Sequence, residues 1–199
     1  MTSASRRITS AHKLNSGIMN RALLLDRDGV INKEINYLYR TEDVEFIDGI
    51  FETCAFFEKR RFLIIVITNQ AGIARGYYTV EDFVKLSDWM KSEFNRRGIA
   101  LSATYFCPYH PTEGVGQYRQ ESFDRKPNPG MIFRARDDFA LNLPGSILVG
   151  DKESDIEAGL NAGVGTNVLV KSGHPLSGPS RARVIIDSIK DLPEALKLA

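Results

Sequence analysis

The sequence holds no apolar run long enough to cross a bilayer. Its longest, Phe62 to Ile67, is far short of the roughly 20 residues that a spanning helix needs. Cysteine is scarce: Cys54 and Cys107 are the only two, too few for a disulfide framework, which suits a reducing compartment. Neither sign of charge dominates. A formal net charge of +1 removes the basic excess of a nucleic-acid binder, and no basic-aromatic stretch supplies a local one. Internal repeats and low-complexity segments are absent. Met1 to Asn20 contains no acid and lacks the apolar centre of a secretory signal. With Arg6, Arg7 and Lys13 set among Ser, Thr and Asn, it reads as a disordered tail, or as sequence upstream of a natural start at Met19. Residues 21–199 then form one domain. Their chain length can bury a full core, and 43% hydrophobic with 26% charged residues is ordinary for a globular protein.

The stretch that organises the rest is Ala22-Leu23-Leu24-Leu25-Asp26-Arg27-Asp28-Gly29-Val30. Four apolar residues ending in acids read as a buried strand that opens into a polar loop. Asp26 and Asp28 lean to the same side of an extended chain, and Gly29 allows a sharp turn or a close ligand. Alone, such a pattern is also what a solvated turn after a strand looks like.

Downstream, Asp48 is placed to cap a helix whose apolar face carries Ile50, Phe51, Cys54, Ala55 and Phe57. Cys54 is therefore expected in the core. Phe62 to Ile67 is a strand apolar on both faces, ending in Thr68-Asn69-Gln70. Thr79 to Asp82 resembles a capping box before the helical stripe Phe83, Val84, Leu86, Met90 and Phe94, with Gly98 ending the helix. Strands are expected at 103–106, 146–149, 167–170 and 184–186. Further helices are expected from Asn128-Pro129, after Asp151, and around Leu192 to Leu198. Strands alternating with helices imply an α/β fold, a doubly wound parallel sheet of Rossmann-like type.

In such a sheet, ligands bind beyond the carboxyl ends of the strands. Three strands here end in polar chemistry: Asp26 with Asp28, Thr68, and Asp151; Arg125-Lys126 precedes a helix start. That set fits phosphoryl transfer. Asp26 is placed to attack phosphorus and form an aspartyl phosphate. Asp28 can protonate the leaving oxygen and later take a proton from water. Thr68 and Lys126 can stabilise the phosphate oxygens. Like charges about 4 Å apart repel by roughly 4 kcal/mol at an effective dielectric near 20. Three carboxylates and a phosphate dianion exceed what Lys126 neutralises, so a hard divalent cation is implied. Mg²⁺ fits Asp26, Asp151 and the backbone carbonyl of Asp28. Asp155 either holds a metal-bound water or caps the helix that follows.

The segments D-R-D-G-V, T-N-Q, R-K-P-N-P-G and G-D-K-E-S-D, in this order, resemble the four signature motifs of the haloacid dehalogenase superfamily of phosphatases. T-N-Q-A-G-I-A-R-G, C-P-Y-H-P and R-K-P-N-P-G-M are similar to the branch that holds heptose bisphosphate and histidinol-phosphate phosphatases. The resemblance implies Asp26 as nucleophile, Asp28 as acid/base, Thr68 and Lys126 as phosphate stabilisers, and Asp26, Asp28 and Asp151 as the Mg²⁺ site. It places Glu34, Ile35, Asn36, Tyr37, Asn69, Gln70, Ala71, Arg125 and Lys152 at substrate. The branch often carries a structural zinc in the loop that corresponds to 107–126. Here Cys107-Pro108-Tyr109-His110 opens that loop and Ser122-Phe123-Asp124 closes it, so four closed N/S ligands are lacking and zinc is not expected. The loop is then expected either to be ordered by packing through Tyr109, Tyr118 and Phe123 or to be mobile.

A phosphoacceptor receiver domain is the non-enzyme rival, but there the lysine is the last functional group. Here Asp151 and Asp155 follow Lys126. The intervals from Asp28 to Thr68 and from Thr68 to Lys126 leave no room for a large cap domain, which favours hydrolysis over group transfer. Arg75, Arg125 and Lys152 supply more cation than one phosphate requires, which points to a sugar bisphosphate. Histidinol phosphate is the alternative. The expected protein is a cytoplasmic monomer acting on a small phosphate ester, without nucleic acid or membrane. His12 and His174 are expected at the surface.

Overall fold

The computed structural model describes residues 8–9, 19–174 and 178–198. The expected tail, His12 included, lies outside them except for Ile8–Thr9 and Met19–Asn20. Ile8–Thr9 (β1) pairs antiparallel with Thr104 and Ala103, and the Asn20 side chain donates to the Phe139 carbonyl.

Six parallel strands make the sheet: β2 (Arg21–Leu25), β3 (Phe62–Asn69), β4 (Leu101–Cys107), β5 (Ile147–Gly150), β6 (Thr166–Val170) and β7 (Val184–Ile186). Their order is β1-β4-β3-β2-β5-β6-β7, with β1 the antiparallel edge. The order reverses at β2, so Asp26 follows the strand at the topological switch point.

Strand alternation assigns the two faces. Leu23, Leu25, Ile64 and Val66 pack with Cys54 and Phe57 of α1 (Ile50–Lys59), and with Leu86, Met90 and Phe94 further along the chain. On the other face Ala22, Leu24, Ile65 and Ile67 meet Met131, Ile132, Ala135 and Phe139, together with Ala158 and Ala162. Each fully buried leucine or isoleucine contributes about 1.5–3 kcal/mol over its exposed form, which is why β2 and β3 are apolar on both sides. A four-residue helix α2 (Ala71–Ala74) follows β3, and α3 (Val80–Arg96) opens with the expected capping box, Thr79 with Asp82. The remaining helices are α4 (Gly130–Phe139), α5 (Glu153–Ala162) and α6 (Leu192–Ala195).

Two helix starts differ from expectation. Gly49, in the left-handed region at φ 82°, caps α1, while Asp48 pairs outward with Lys190 at 3.3 Å. Pro129 is the cap of α4 rather than its first residue, and Gly130 packs against the Phe123 carbonyl, where a Cβ has no room. The closing helix is shorter than expected and follows a single 3₁₀ turn at Ile189–Asp191.

Between Asp28 and Thr68 lie a loop, one 3₁₀ turn and α1, with no large cap. In the loop after β4, Tyr109 and Tyr118 face each other at 6.1 Å. Phe123 is exposed and lies 6.2 Å from Phe133, a weaker anchor than its apolar character suggests.

Candidate active site

The carboxyl ends of β2, β3 and β5 deliver Asp26, Thr68 and Asp151 to one floor, all three buried. Gly29 makes the floor tight. It sits at φ 85°, and a Cβ there would overlap the Asp151 carboxylate. Lys126 reaches in from the loop before α4. Its Nζ lies 2.9 Å from Asp26 Oδ1 and 2.6 Å from Asp155 Oδ1, and donates to the Ile67 carbonyl at 2.9 Å. Asn69 fixes the lysine from below: its Nδ2 donates to the Lys126 carbonyl at 3.1 Å and its Oδ1 accepts from the Lys126 N–H at 3.0 Å. Burial alone would lower the Lys126 pKa, but Asp155 and Asp26 together raise it, so the ammonium stays charged.

Asp26, Asp151 and Asp155 each offer an oxygen within 4.8 Å of the others. Asp155 serves two purposes, because its Oδ2 accepts the Lys152 N–H at 3.0 Å, capping α5, while Oδ1 turns to Lys126. Of the two sequence readings of Asp155, the helix cap is the one seen; its other oxygen meets Lys126, a contact neither reading held. Burial raises the pKa of Asp26, which Lys126 partly offsets and the Asp155 and Asp28 charges reinforce. Asp151 is likewise raised by burial and by Asp26, against the hydrogen bond from His174. Buried Asp151 Oδ1 has no hydrogen-bond partner. Three hard oxygen donors, an orphaned carboxylate oxygen and one lysine as counter-charge suit a small divalent cation of the Mg²⁺ type.

Asp28, two residues from Asp26, has the opposite environment. Burial would raise its pKa, but the Arg27 guanidinium and hydrogen bonds from Arg27, Asn32 and Gln70 hold it below the usual carboxylate range. Arg27 binds both carboxylate oxygens, Nε to Oδ1 at 3.0 Å and Nη2 to Oδ2 at 2.8 Å.

A cavity of about 350 Å³ opens above this floor. Asp26, Asp28 and Lys126 line it, together with Glu34, Asn36, Tyr37, Asn69, Gln70, Ala71, Arg125 and Lys152. Ile35 and Arg75 are not brought to it. Arg75 pairs with Glu113 and sits 5.6 Å from the Tyr37 ring centroid, because the loop after β4 turns back over α2. Arg125 Nη1 donates to the Tyr109 carbonyl at 3.1 Å. Lys152 lies 3.8 Å from Glu34.

Three participants were not anticipated. Arg27 is adjacent to both acids, but nothing in the sequence says that it folds inward. Tyr78 lines the cavity and donates to Gln70 Oε1 at 2.5 Å. His174, expected at the surface, keeps a side chain that is 38% exposed, but it also has a partner in the site. Its backbone N–H and ring Nδ1 both bond Asp151 Oδ2, at 3.0 and 2.7 Å. The preceding Gly173 was the available signal, since a Cβ there would overlap Asp151.

Comparison with known proteins agrees with this geometry. Residues 123–192 match a family model described as HAD-hyrolase-like. A D-glycero-alpha-D-manno-heptose-1,7-bisphosphate 7-phosphatase of Burkholderia mallei is 56% identical over 76% of this chain and 80% of its own. A D-glycero-beta-D-manno-heptose-1,7-bisphosphate 7-phosphatase of Vibrio cholerae is 43% identical over 88% and 95%. Among solved structures, a HAD-like protein from Mesorhizobium loti superposes with a TM-score of 0.84 at 30% identity, covering 99% of this chain and 95% of that one. The D,D-heptose 1.7-bisphosphate phosphatase from B. bronchiseptica gives 0.76 at 24%, covering 89% and 98%.

Proposed function

The chain belongs to the haloacid dehalogenase superfamily of phosphatases and is a phosphoric monoester hydrolase, and from that premise we propose that it removes the 7-phosphate of a D-glycero-D-manno-heptose 1,7-bisphosphate. The observation that carries the substrate is the separation of cations. Lys126 sits on the buried floor, while Arg125 and Lys152 line the cavity above it, where a second phosphate would lie. Glu34, Asn36 and Tyr37 supply polar groups for the sugar hydroxyls. Histidinol phosphate would set a cationic amine and an imidazole beside Arg125 and Lys152, which disfavours it.

The reaction runs in two displacements. Asp26 attacks phosphorus, the phosphorus–oxygen bond to the sugar breaks, and Asp28 gives its proton to the leaving alkoxide. Asp28 is then a carboxylate and takes a proton from water, which attacks the aspartyl phosphate and frees Asp26. Thr68 and Lys126 bind the non-bridging oxygens. The incoming phosphate dianion favours the protonated form of Asp28 that the first step needs, against the pull of Arg27. Asp26, Asp151, Asp155 and the Asp28 carbonyl would hold Mg²⁺, which when bound supplies the counter-charge for the phosphate.

The test is kcat/KM on both anomers of heptose 1,7-bisphosphate, on histidinol phosphate and on p-nitrophenyl phosphate, with phosphorus NMR of the product. The heptose should lead, leaving the 1-phosphate. The α anomer is expected to be preferred, because the relative at 56% identity carries that name. A higher kcat/KM for histidinol phosphate overturns the substrate assignment.

A further inference from the structure

Asp28 must hold one position while it gives and takes a proton, and the chain surrounds it with donors. A carboxylate offers about four lone-pair sites. Here Arg27 Nε and Asn32 Nδ2 donate to Oδ1, each at 3.0 Å, and Arg27 Nη2 and Gln70 Nε2 to Oδ2 at 2.8 and 3.2 Å; this is the pattern of the carboxylate form, and a proton on Asp28 displaces one of these bonds. The Arg27 side chain is itself 2% exposed. It is fixed by a 3.0 Å hydrogen bond to the Leu38 carbonyl and lies 5.5 Å from the Phe83 ring centroid.

Gln70 is held as firmly. An amide can present either its oxygen or its nitrogen to a neighbour, and only the nitrogen suits Asp28. The Tyr78 hydroxyl donates to Oε1 at 2.5 Å, so Nε2 is directed to Asp28 and, at 2.9 Å, to Thr68 Oγ1. Receiving that bond, Thr68 keeps its own O–H proton free to donate toward a phosphate oxygen. Tyr78 is 6% exposed and stacks on Tyr39 at 5.4 Å, so its hydroxyl has little freedom.

We propose that Arg27 and Tyr78 are positioning residues that act on Asp28 from two sides, Arg27 directly and Tyr78 through the amide of Gln70. Neither gives or takes a proton in the reaction. The proposal rests on the phosphoryl-transfer reading of the site, and its test is arranged so that the two can fail separately. Tyr78→Phe keeps the stacked ring and removes only the hydroxyl, and Arg27→Lys keeps the charge and removes the fork.

Both variants and the parent chain are assayed by kcat/KM on an alkyl phosphate and on p-nitrophenyl phosphate. An alkoxide needs the proton that Asp28 supplies, whereas nitrophenolate leaves without it. A misplaced acid therefore lowers the alkyl rate by on the order of 10²-fold in Arg27→Lys and about 10-fold in Tyr78→Phe, with a much smaller loss on the aryl ester. Gln70→Ala should lose as much as Tyr78→Phe, and the double variant no more than Gln70→Ala alone. If the parent hydrolyses neither ester, the reading of the site has failed. Equal losses on both esters, or additive losses at Tyr78 and Gln70, overturn the positioning roles. Thermal melts identify an Arg27→Lys that has lost its fold; Tyr78→Phe then decides alone.

Discussion

The floor and the wall of the cavity are built on different terms. The floor, Asp26, Thr68, Lys126, Asp151 and Asp155, is buried; Asp26, Thr68 and Asp151 come from strand ends, Lys126 from the loop before α4 and Asp155 from the first turn of α5. The wall, Glu34, Asn36, Tyr37, Arg125 and Lys152, comes from loops or the cap of α5, and Tyr37 is 37% exposed. Asn36 and Tyr37 even sit at positive φ, 57° and 61°, a backbone region that costs a non-glycine residue on the order of 1 kcal/mol. On the proposed mechanism the buried floor holds the atoms that make and break bonds, while the groups assigned to the rest of the substrate stand on segments that can vary without disturbing it.

The sharpest break of that division is Asp26→Asn. Removing the nucleophile should cost at least about 10⁴-fold in kcat while circular dichroism shows an unchanged fold. Residual turnover near the parent level would remove Asp26 from its role.

Metal removal comes next. EDTA should abolish activity and Mg²⁺ alone should restore it. The floor acids also predict a pH signature. Asp26 and Asp151 have raised folded-state pKa values, so in the metal-free protein their contribution to stability is present at acid pH and is lost as pH rises through those values. Asp28 is lowered and acts in the opposite sense, its contribution being lost as pH falls through its folded value. The rise in melting temperature on adding Mg²⁺ should therefore be largest near neutrality and fade with acidification. A Mg²⁺ increment independent of pH would contradict the acid cluster as its site.

A wall variant should behave differently. Arg125→Ala is expected to raise KM for the bisphosphate by about 10- to 100-fold, the loss of a charge-assisted pair, with little change for an aryl phosphate. Equal effects on both substrates would move Arg125 from the wall to the floor. The smallest effect is expected at Asn69→Ala, which removes the two bonds that hold the Lys126 backbone. It should cost about 1–2 kcal/mol in denaturant unfolding and lower kcat more than it raises KM.

Several residues show why part of the site was legible in advance. Asp26, Thr68 and Asp151 each end an apolar run, and a parallel sheet brings the carboxyl ends of its strands together whatever their spacing in the chain. Asp155 was legible as a helix cap through one oxygen, but its pairing with Lys126 through the other was not, because Lys126 arrives from a distant loop. Arg75 was read as a substrate cation on charge alone, yet Glu113 claims it across a loop whose path no local pattern specifies.

By itself, the sequence determined the doubly wound sheet, the apolar character of its central strands on both faces and the polar residues that end them. Continuous apolar runs and strand-terminal polarity are local properties, and local properties are written in adjacent residues. Tertiary structure alone decided that Arg27 folds inward to Asp28, that Tyr78 orients Gln70, and that His174 returns to Asp151 from 23 residues away. Those contacts depend on the direction of buried side chains and the return of distant loops. Burial makes each of them obligatory, since a buried donor or acceptor left without a partner costs about 1–3 kcal/mol, but only the packed chain determines which partner it finds.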